Sequence, residues 1–339
     1  MNRTTLAFVL LMASGTAQAA PVRVAYFYDY MSQDHLDSLA HAGFDRGMVH
    51  WISDSLDARG AARLGMWADR GAVVGIEIEP EWVLQAPARL ATRPASRRYT
   101  WGPGTVETAV ACPLDSLYWR SALLDRAEEF LRARPGLRRL AVDFELYGSS
   151  SRHHYDAGPC RCASCLAEYS GGRSLGNRDA AQLSGLMGWE ESRVATLVSG
   201  LLAEFAAAHP GVAIDVLDLD LASFVHRGAA RAFAKSGVPV ADYCESTYAV
   251  GGGPVGRIRS RLARLGLPNA AVIGGVWLKR FAPKDLAPAI ASINAVAQGY
   301  FVFTTFSLWQ DPAKLTGPYT LLGDRASYWQ ALRQANGAP

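Results

Sequence analysis

Two acids, Asp143 and Glu145, stand two residues apart in the apolar run Leu140 to Leu146, and three thiols, Cys160, Cys162 and Cys165, follow in the next loop. Read as a strand, the run turns Leu140, Val142, Phe144 and Leu146 one way and Ala141, Asp143 and Glu145 the other. Two carboxylates facing an apolar layer would be very costly, so their face opens onto a polar cleft at the strand's carboxyl end. There, like charge and partial burial raise the pKa of Glu145 and fit it to be a general acid, with Asp143 beside it. The plainer reading is a structural acid that bonds a neighbouring strand's Arg or backbone.

The thiols form C-x-C-x2-C, too tight for three independent core residues, and Cys112 lies in the preceding long loop. Four thiolates suit a tetrahedral, structural zinc that staples two adjacent loops over the strand. An oxidising compartment would favour one or two disulfides instead. His153 or His154 could replace Cys112 as the fourth ligand, and Cys244 reads as a small buried hydrophobe.

Eight apolar segments must position these groups: 22–30, 47–52, 72–80, 139–147, 212–219, 240–247, 271–278 and 300–309. Amphipathic patterns alternate with them at 34–42, 56–69, 115–134, 181–208, 223–235, 255–265, 286–297 and 325–334, and several end in a Gly that can stop a helix, such as Gly43, Gly136, Gly211 and Gly237. Eight βα units imply an α/β fold, a single (β/α)8 TIM barrel over residues 20–339. A doubly wound open sheet would carry a Gly-rich phosphate turn after its first strand, and Tyr26 to Tyr30 has none. Long loops follow strands three and four, on the side where barrels build active sites.

In a barrel the strand ends converge on one cavity, lined here by acids and aromatics. Asp29, Trp51, Glu79, Tyr248, Trp277 and Trp309 are the candidate substrate-binding residues. Aromatic faces stack on the C–H faces of sugar rings and carboxylates bond hydroxyls, so this lining suits a saccharide better than a phosphorylated metabolite. Any single Trp of the set also serves equally well as a plug of the barrel mouth. Glycoside cleavage needs a carboxylic acid at the leaving oxygen and usually a second carboxylate. Glu145 is the candidate acid. Glu245 is the leading second carboxylate; Asp143 could instead orient a substrate acetamido group as an internal nucleophile, and Glu79 and Asp220 remain alternatives.

Residues 1–19 read as an export signal, with Arg3, an apolar run from Leu6 to Met12, and Ala17-Gln18-Ala19 before the expected cut. That run is too short to span a bilayer, and no Cys follows the cut to take a lipid. A periplasmic or secreted protein without a membrane anchor is expected. A net charge of +3 with scattered Arg residues speaks against a nucleic-acid partner. The partner expected is a carbohydrate substrate, and no organic cofactor is expected.

Strands three and four with their loops resemble those of family 42 β-galactosidases and related clan A glycoside hydrolases. Some of these end strand four in an acid/base Glu, matched by Glu145, and bind zinc through a cluster matched by Cys112, Cys160, Cys162 and Cys165. The resemblance implies a TIM-barrel glycoside hydrolase. It departs at Phe144, where that clan has Asn, and in strand seven, where 272–278 holds no nucleophilic acid. Asp143-Phe144-Glu145 also resembles the D-x-E of family 18 chitinase-like enzymes, although Arg138 and Ala141 replace that family's first two acids. Two outcomes follow: substrate-assisted hydrolysis of an N-acetylhexosaminide, or inverting hydrolysis with Glu145 as the acid. The competing reading is a non-catalytic saccharide-binding protein on a degenerate barrel. A metal-dependent deacetylase would need His and Asp around an open metal position, and that set is not evident.

Overall fold

Every residue from Val24 to Tyr28 is buried, and alternate residues enter different cores. Val24, Tyr26 and Tyr28 join one cluster and Ala25 and Phe27 another. A strand that is apolar on both faces belongs to a parallel sheet covered by helices. The computed structural model describes residues 20–28, 31–50, 73–77, 96–101, 105–144, 158–173, 175, 183–220 and 223–339.

The strands are β1 (Val22–Tyr28), β2 (Arg46–His50), β3 (Val73–Glu77), β4 (Arg98–Trp101), β5 (Thr105–Ala111), β6 (Arg139–Asp143), β7 (Ala213–Leu217), β8 (Val240–Cys244), β9 (Ala271–Trp277) and β10 (Gly299–Phe303). Eight of them pair in parallel in the order β1-β10-β9-β8-β7-β6-β3-β2 and close into a barrel. The helices are α1 (Gln33–His41), α2 (Ser116–Trp119), α3 (Arg126–Ala133), α4 (Ala163–Ser170), α5 (Leu186–Ala208), α6 (Phe224–Ser236), α7 (Val255–Arg264), α8 (Pro283–Asn294) and α9 (Arg325–Asn336). A π-helical turn, Arg120–Asp125, carries α2 into α3. The α/β-barrel expectation therefore holds. The segment after β2, where a helix was expected at 56–69, lies outside the described residues, as does the expected export signal.

The inner core contains Val24, Tyr26, Tyr28, Met48, Ala141, Leu217, Ala241, Tyr243, Ile273 and Phe301. The outer core lies between strands and helices and takes the opposite residues, among them Leu140, Val142 and Phe144. The alternation expected of β6 is thus observed as far as Phe144. Inside the barrel, Arg139 and Asp215 form a hydrogen-bonded ion pair, with Asp215 fully buried.

Several strands stop earlier than their apolar runs. β8 ends at Cys244 and passes into a 3-10 turn, Glu245–Thr247, and β10 ends at Phe303 before another, Thr305–Leu308. The two long loops carry structure that apolar periodicity did not show, the antiparallel hairpin β4–β5 and helix α4. Among the described residues no helix is long and apolar enough to cross a membrane.

Candidate functional site

Asp143 ends β6 half-buried on the inner face shared with Ala141. The register sets it level with Glu77 of β3 on one side and Leu217 of β7 on the other. Phe144 faces outward and is buried against His226, at 4.7 Å between ring centres, and Trp119, at 5.9 Å. Glu145, Asp29, Trp51 and Glu79 lie outside the described residues.

Beyond β7 the chain turns at Asp218, whose φ of 58° is left-handed, a conformation that favours Gly, Asn and Asp. Its backbone N–H donates to the Tyr243 carbonyl at 2.9 Å, and its Oδ1 accepts the N–H of Glu245 at 2.9 Å. Glu245 therefore does not end the strand, as its sequence position implied; it opens the turn after it, half-buried and held by a side chain of the neighbouring strand end. Asp218, Asp220 and Asp242 are buried around this point. Burial pushes the Asp218 carboxyl well above the usual carboxylate range, and the charge of Glu245 adds to the shift. Burial does the same for Asp242, with Asp220 adding. Asp220 is also raised by burial, against the pull of Arg261 at 3.3 Å. Burial thus favours the neutral form of the acids packed around Glu245, and a neutral carboxyl can donate a hydrogen bond.

The other half of the mouth is aromatic. Tyr248 stacks on Phe303 with centroids 5.5 Å apart and lies 6.0 Å from Trp277. Tyr28 meets Phe306 edge-on at 5.6 Å, and its hydroxyl bonds that of Tyr319 at 2.8 Å. The segment carrying Tyr319 is tied down by Trp277 Nε1 donating to the Pro318 carbonyl and Lys279 Nζ to the Gly317 carbonyl, both at 2.8 Å. The acids thus occupy the ends of β6, β7 and β8, and aromatics run from β8 round to β1. Tyr248 and Trp277 come together as the sequence implied. Trp309 stands apart: its ring packs at a tilt on His35 with centroids 3.9 Å apart, meets Trp329 edge-on at 5.3 Å, and lines a separate cavity of about 830 Å³ with Leu308, Leu315 and Trp329.

The two long loops are stitched together. Arg161 N donates to the Thr100 carbonyl at 2.6 Å and the Tyr99 hydroxyl to the Gly158 carbonyl at 2.8 Å. At this seam the sulfurs of Cys112, Cys160, Cys162 and Cys165 all lie within 4.8 Å of one another, and none is in a disulfide. That spread suits four thiolates about 2.3 Å from a common metal. Backbone N–H groups of Thr100 and Leu114 point at Cys160 and Cys112 sulfurs, at 3.5 and 3.4 Å, as donors to thiolates do. The four cysteines thus form a cluster able to bind a metal such as zinc.

Several participants escaped the sequence reading, Tyr319 and Asp242 among them. Tyr28, Phe303 and Phe306 sit at or just past strand ends, and alternation along β1, through Val24 and Tyr26, was the available signal for Tyr28. Glu190 of α5 is fully buried, accepts the N–H of Cys160 at 2.9 Å, and is pushed up to about 9 by burial and the neighbouring thiols; no motif announces it.

No family model matches the chain, and no curated protein matches its sequence. Solved structures do match. A β-galactosidase from the psychrophilic Marinomonas ef1 has a TM-score of 0.53 at 7% identity, over 93% of this chain and 59% of its own. An agarase gives 0.54 at 10% identity, over 90% of this chain and 48% of its own. An exo-β-agarase gives 0.51 at 11% identity, over 90% and 46% respectively. The chain therefore spans less than two thirds of the length of each of these proteins, and at such identities the likeness is one of fold, the α/β barrel that all of them share with it.

Proposed function

We propose that the chain is an exported glycoside hydrolase on a complete (β/α)8 barrel, with Glu145 as general acid and Asp143 or Glu245 as its partner. The observation that carries this reading is the division of the mouth into an acidic half, with Asp143 and Glu245, and an aromatic half, with Tyr248, Trp277 and Tyr319. A sugar ring stacked on the aromatic side presents its glycosidic oxygen to the acids. The barrel shared with a β-galactosidase and two agarases agrees with such a substrate. Zinc at the four cysteines would fix the loops beside β6 and take no part in the reaction.

In this mechanism Glu145 protonates the leaving oxygen. The second carboxylate either attacks directly, which needs about 5 Å between the two carboxyl groups, or activates water across roughly 6.5 to 9.5 Å. The substrate-assisted route, in which Asp143 orients an acetamido group, needs no opposing carboxylate. Glu245 has the better support as second carboxylate, because the Asp218 carboxyl holds its backbone.

The test is product release from galactosides, agaro-oligosaccharides and N-acetylhexosaminides by wild type and Glu145→Gln, with the anomer followed by NMR. General acid catalysis supplies about 10² to 10⁴ in rate, and a loss of that size is expected. A second reading, a non-catalytic saccharide binder, is favoured by β9, whose Gly274 and Gly275 offer no acid. Wild type that binds saccharides and cleaves none would select it.

A further inference from the structure

β9 ends at Trp277 and passes at once into a 3-10 turn, Leu278–Arg280. Leu278 is fully buried, and the hydroxyl of buried Tyr328 bonds the carbonyls of Leu278 and Phe281 at 3.2 and 2.7 Å, so the turn is pinned from behind. Its two cations fold back on the last ring of the strand. The Lys279 ammonium lies 5.6 Å from the centre of Trp277 and the Arg280 guanidinium 4.8 Å, where the ring face attracts both. Lys279 also donates to the Gly317 carbonyl at 2.8 Å. Among the described residues neither cation enters an ion pair. Arg261, beside the acidic half, differs: its guanidinium stands 3.3 Å from the Asp220 carboxylate, so its charge is met within the protein. Two like charges gathered on one ring with no acid between them repel, and a bound anion relieves that repulsion. A guanidinium fixed in this way offers paired N–H donors to an oxyanion, and the ammonium adds another.

We infer that Lys279 and Arg280 make the mouth selective for saccharides carrying an oxyanion, a sulfate ester or a carboxylate, on the ring that stacks against the aromatic half. The inference rests on the proposed reading of the mouth as a saccharide site, and it narrows the substrate from saccharides in general to acidic ones. Trp277, which carries the cations, belongs to the aromatic wall, 6.0 Å from Tyr248 and 6.2 Å from Phe303. An anionic substituent is drawn to this side and repelled by Asp143 and Glu245 on the other, so the same charges also orient the sugar. Neither cation takes part in bond cleavage in this scheme.

Titration calorimetry at low salt tests the inference with three oligosaccharides of equal length: neutral agaro-oligosaccharide, sulfated carrageenan oligosaccharide and oligogalacturonate. Wild type is expected to bind at least one charged oligosaccharide about tenfold or more tighter than the neutral one, the gain of a charge-assisted contact. Which of the two gains separates sulfate from carboxylate. Arg280→Gln is expected to lower that ratio severalfold, and Arg280→Gln with Lys279→Met to abolish it. Arg280→Lys, which keeps the charge, should retain most of it. Arg264→Gln, which removes an exposed cation at the far end of α7, is the control for general attraction of polyanions and should leave the ratio unchanged. Wild type that binds charged oligosaccharides no better than neutral ones, a ratio untouched by the double variant, or an equal loss in Arg264→Gln would overturn the inference. If the double variant does not fold, the loss in Arg280→Gln alone decides. Wild type that prefers acidic oligosaccharides and cleaves none counts against the hydrolase reading alone. Wild type that cleaves acidic and neutral ones with equal kcat/KM overturns the inference and leaves that reading standing.

Discussion

The Asp218 carboxyl accepts the backbone N–H of Glu245 at 2.9 Å, so the ends of β7 and β8 are joined by a side chain where the strand ladder has stopped. The bond holds Glu245 at the mouth and keeps Asp218 below it, fully buried. Asp218, Asp220 and Asp242 form a buried acidic cluster beside the site, and burial raises the pKa of each, so the fold is expected to respond to pH through them.

Asp242 shows this most directly. Burial, with Asp220 nearby, raises its folded pKa well above the ordinary value near 3.9 of the unfolded chain. A group with a raised folded pKa contributes its full stability below the unfolded value and loses it as pH rises toward the folded one. Wild-type stability is therefore expected to decline from about pH 4 upward on this account. Asp242→Asn removes the titration, so its melting temperature should gain on wild type steadily between pH 5 and pH 8. Thermal melts of both proteins across that range check the expectation, and a constant difference would contradict it.

The cysteine cluster gives a second prediction. Purified protein is expected to hold one zinc per chain, and removal by a strong chelator, or Cys165→Ser, should loosen the seam between the hairpin and α4. Melting should fall by more than about 5 °C, on the order of 2 kcal/mol for a chain of this size. Limited proteolysis should then cut near β4–β5 first. Protein without metal whose melting is unmoved by chelator would exclude the site.

The positions of the eight strands were legible because each lies in a mostly apolar run bounded by turn residues. Their ends were not. β8 stops where the Asp218 carboxyl takes the N–H of Glu245 and the Thr247 hydroxyl reaches the Gly275 carbonyl at 2.8 Å, contacts between segments 27 and 28 residues apart. The cysteine spacing was legible because it is local, whereas Glu190 reaches the same cluster from 30 residues away. Trp277 and Trp309 look alike in sequence. One closes the mouth and the other packs outward on His35, a difference set by the 3-10 turn that ends β10.

Arg139 and Asp215 supply a third prediction. Asp215 is fully buried and its pKa is raised by burial even though Arg139 opposes the shift, so the cation matters to the fold. Arg139→Met leaves a buried acid without its partner, which costs about 3 to 5 kcal/mol in comparable cases. Denaturant unfolding should show a loss of that order, and Asp215→Leu in the same chain should recover most of it. A double variant as unstable as the single one would show that the pair is not the cause.

The bare ninth strand leads to the last prediction. A Cβ added at Gly275 would lie 2.3 Å from Tyr248 Cε1 and 2.9 Å from Phe301 Cζ, so this glycine makes room for the Tyr248 ring inside the barrel. The strand lacks an acid because an aromatic wall occupies that space. Gly275→Ala must push Tyr248 off Phe303 and Trp277 and disturb the stacking surface while leaving Asp143 and Glu245 in place. The expected signature is a KM raised about tenfold, the equivalent of 1.4 kcal/mol of ring contact, with kcat nearly unchanged. Tyr248→Ala should raise KM to a similar degree, and adding Gly275→Ala to it should change little more, because the ring that clashes is gone. If Gly275→Ala lowers kcat and leaves KM alone, Tyr248 belongs with the acids and the division of the mouth fails at this residue.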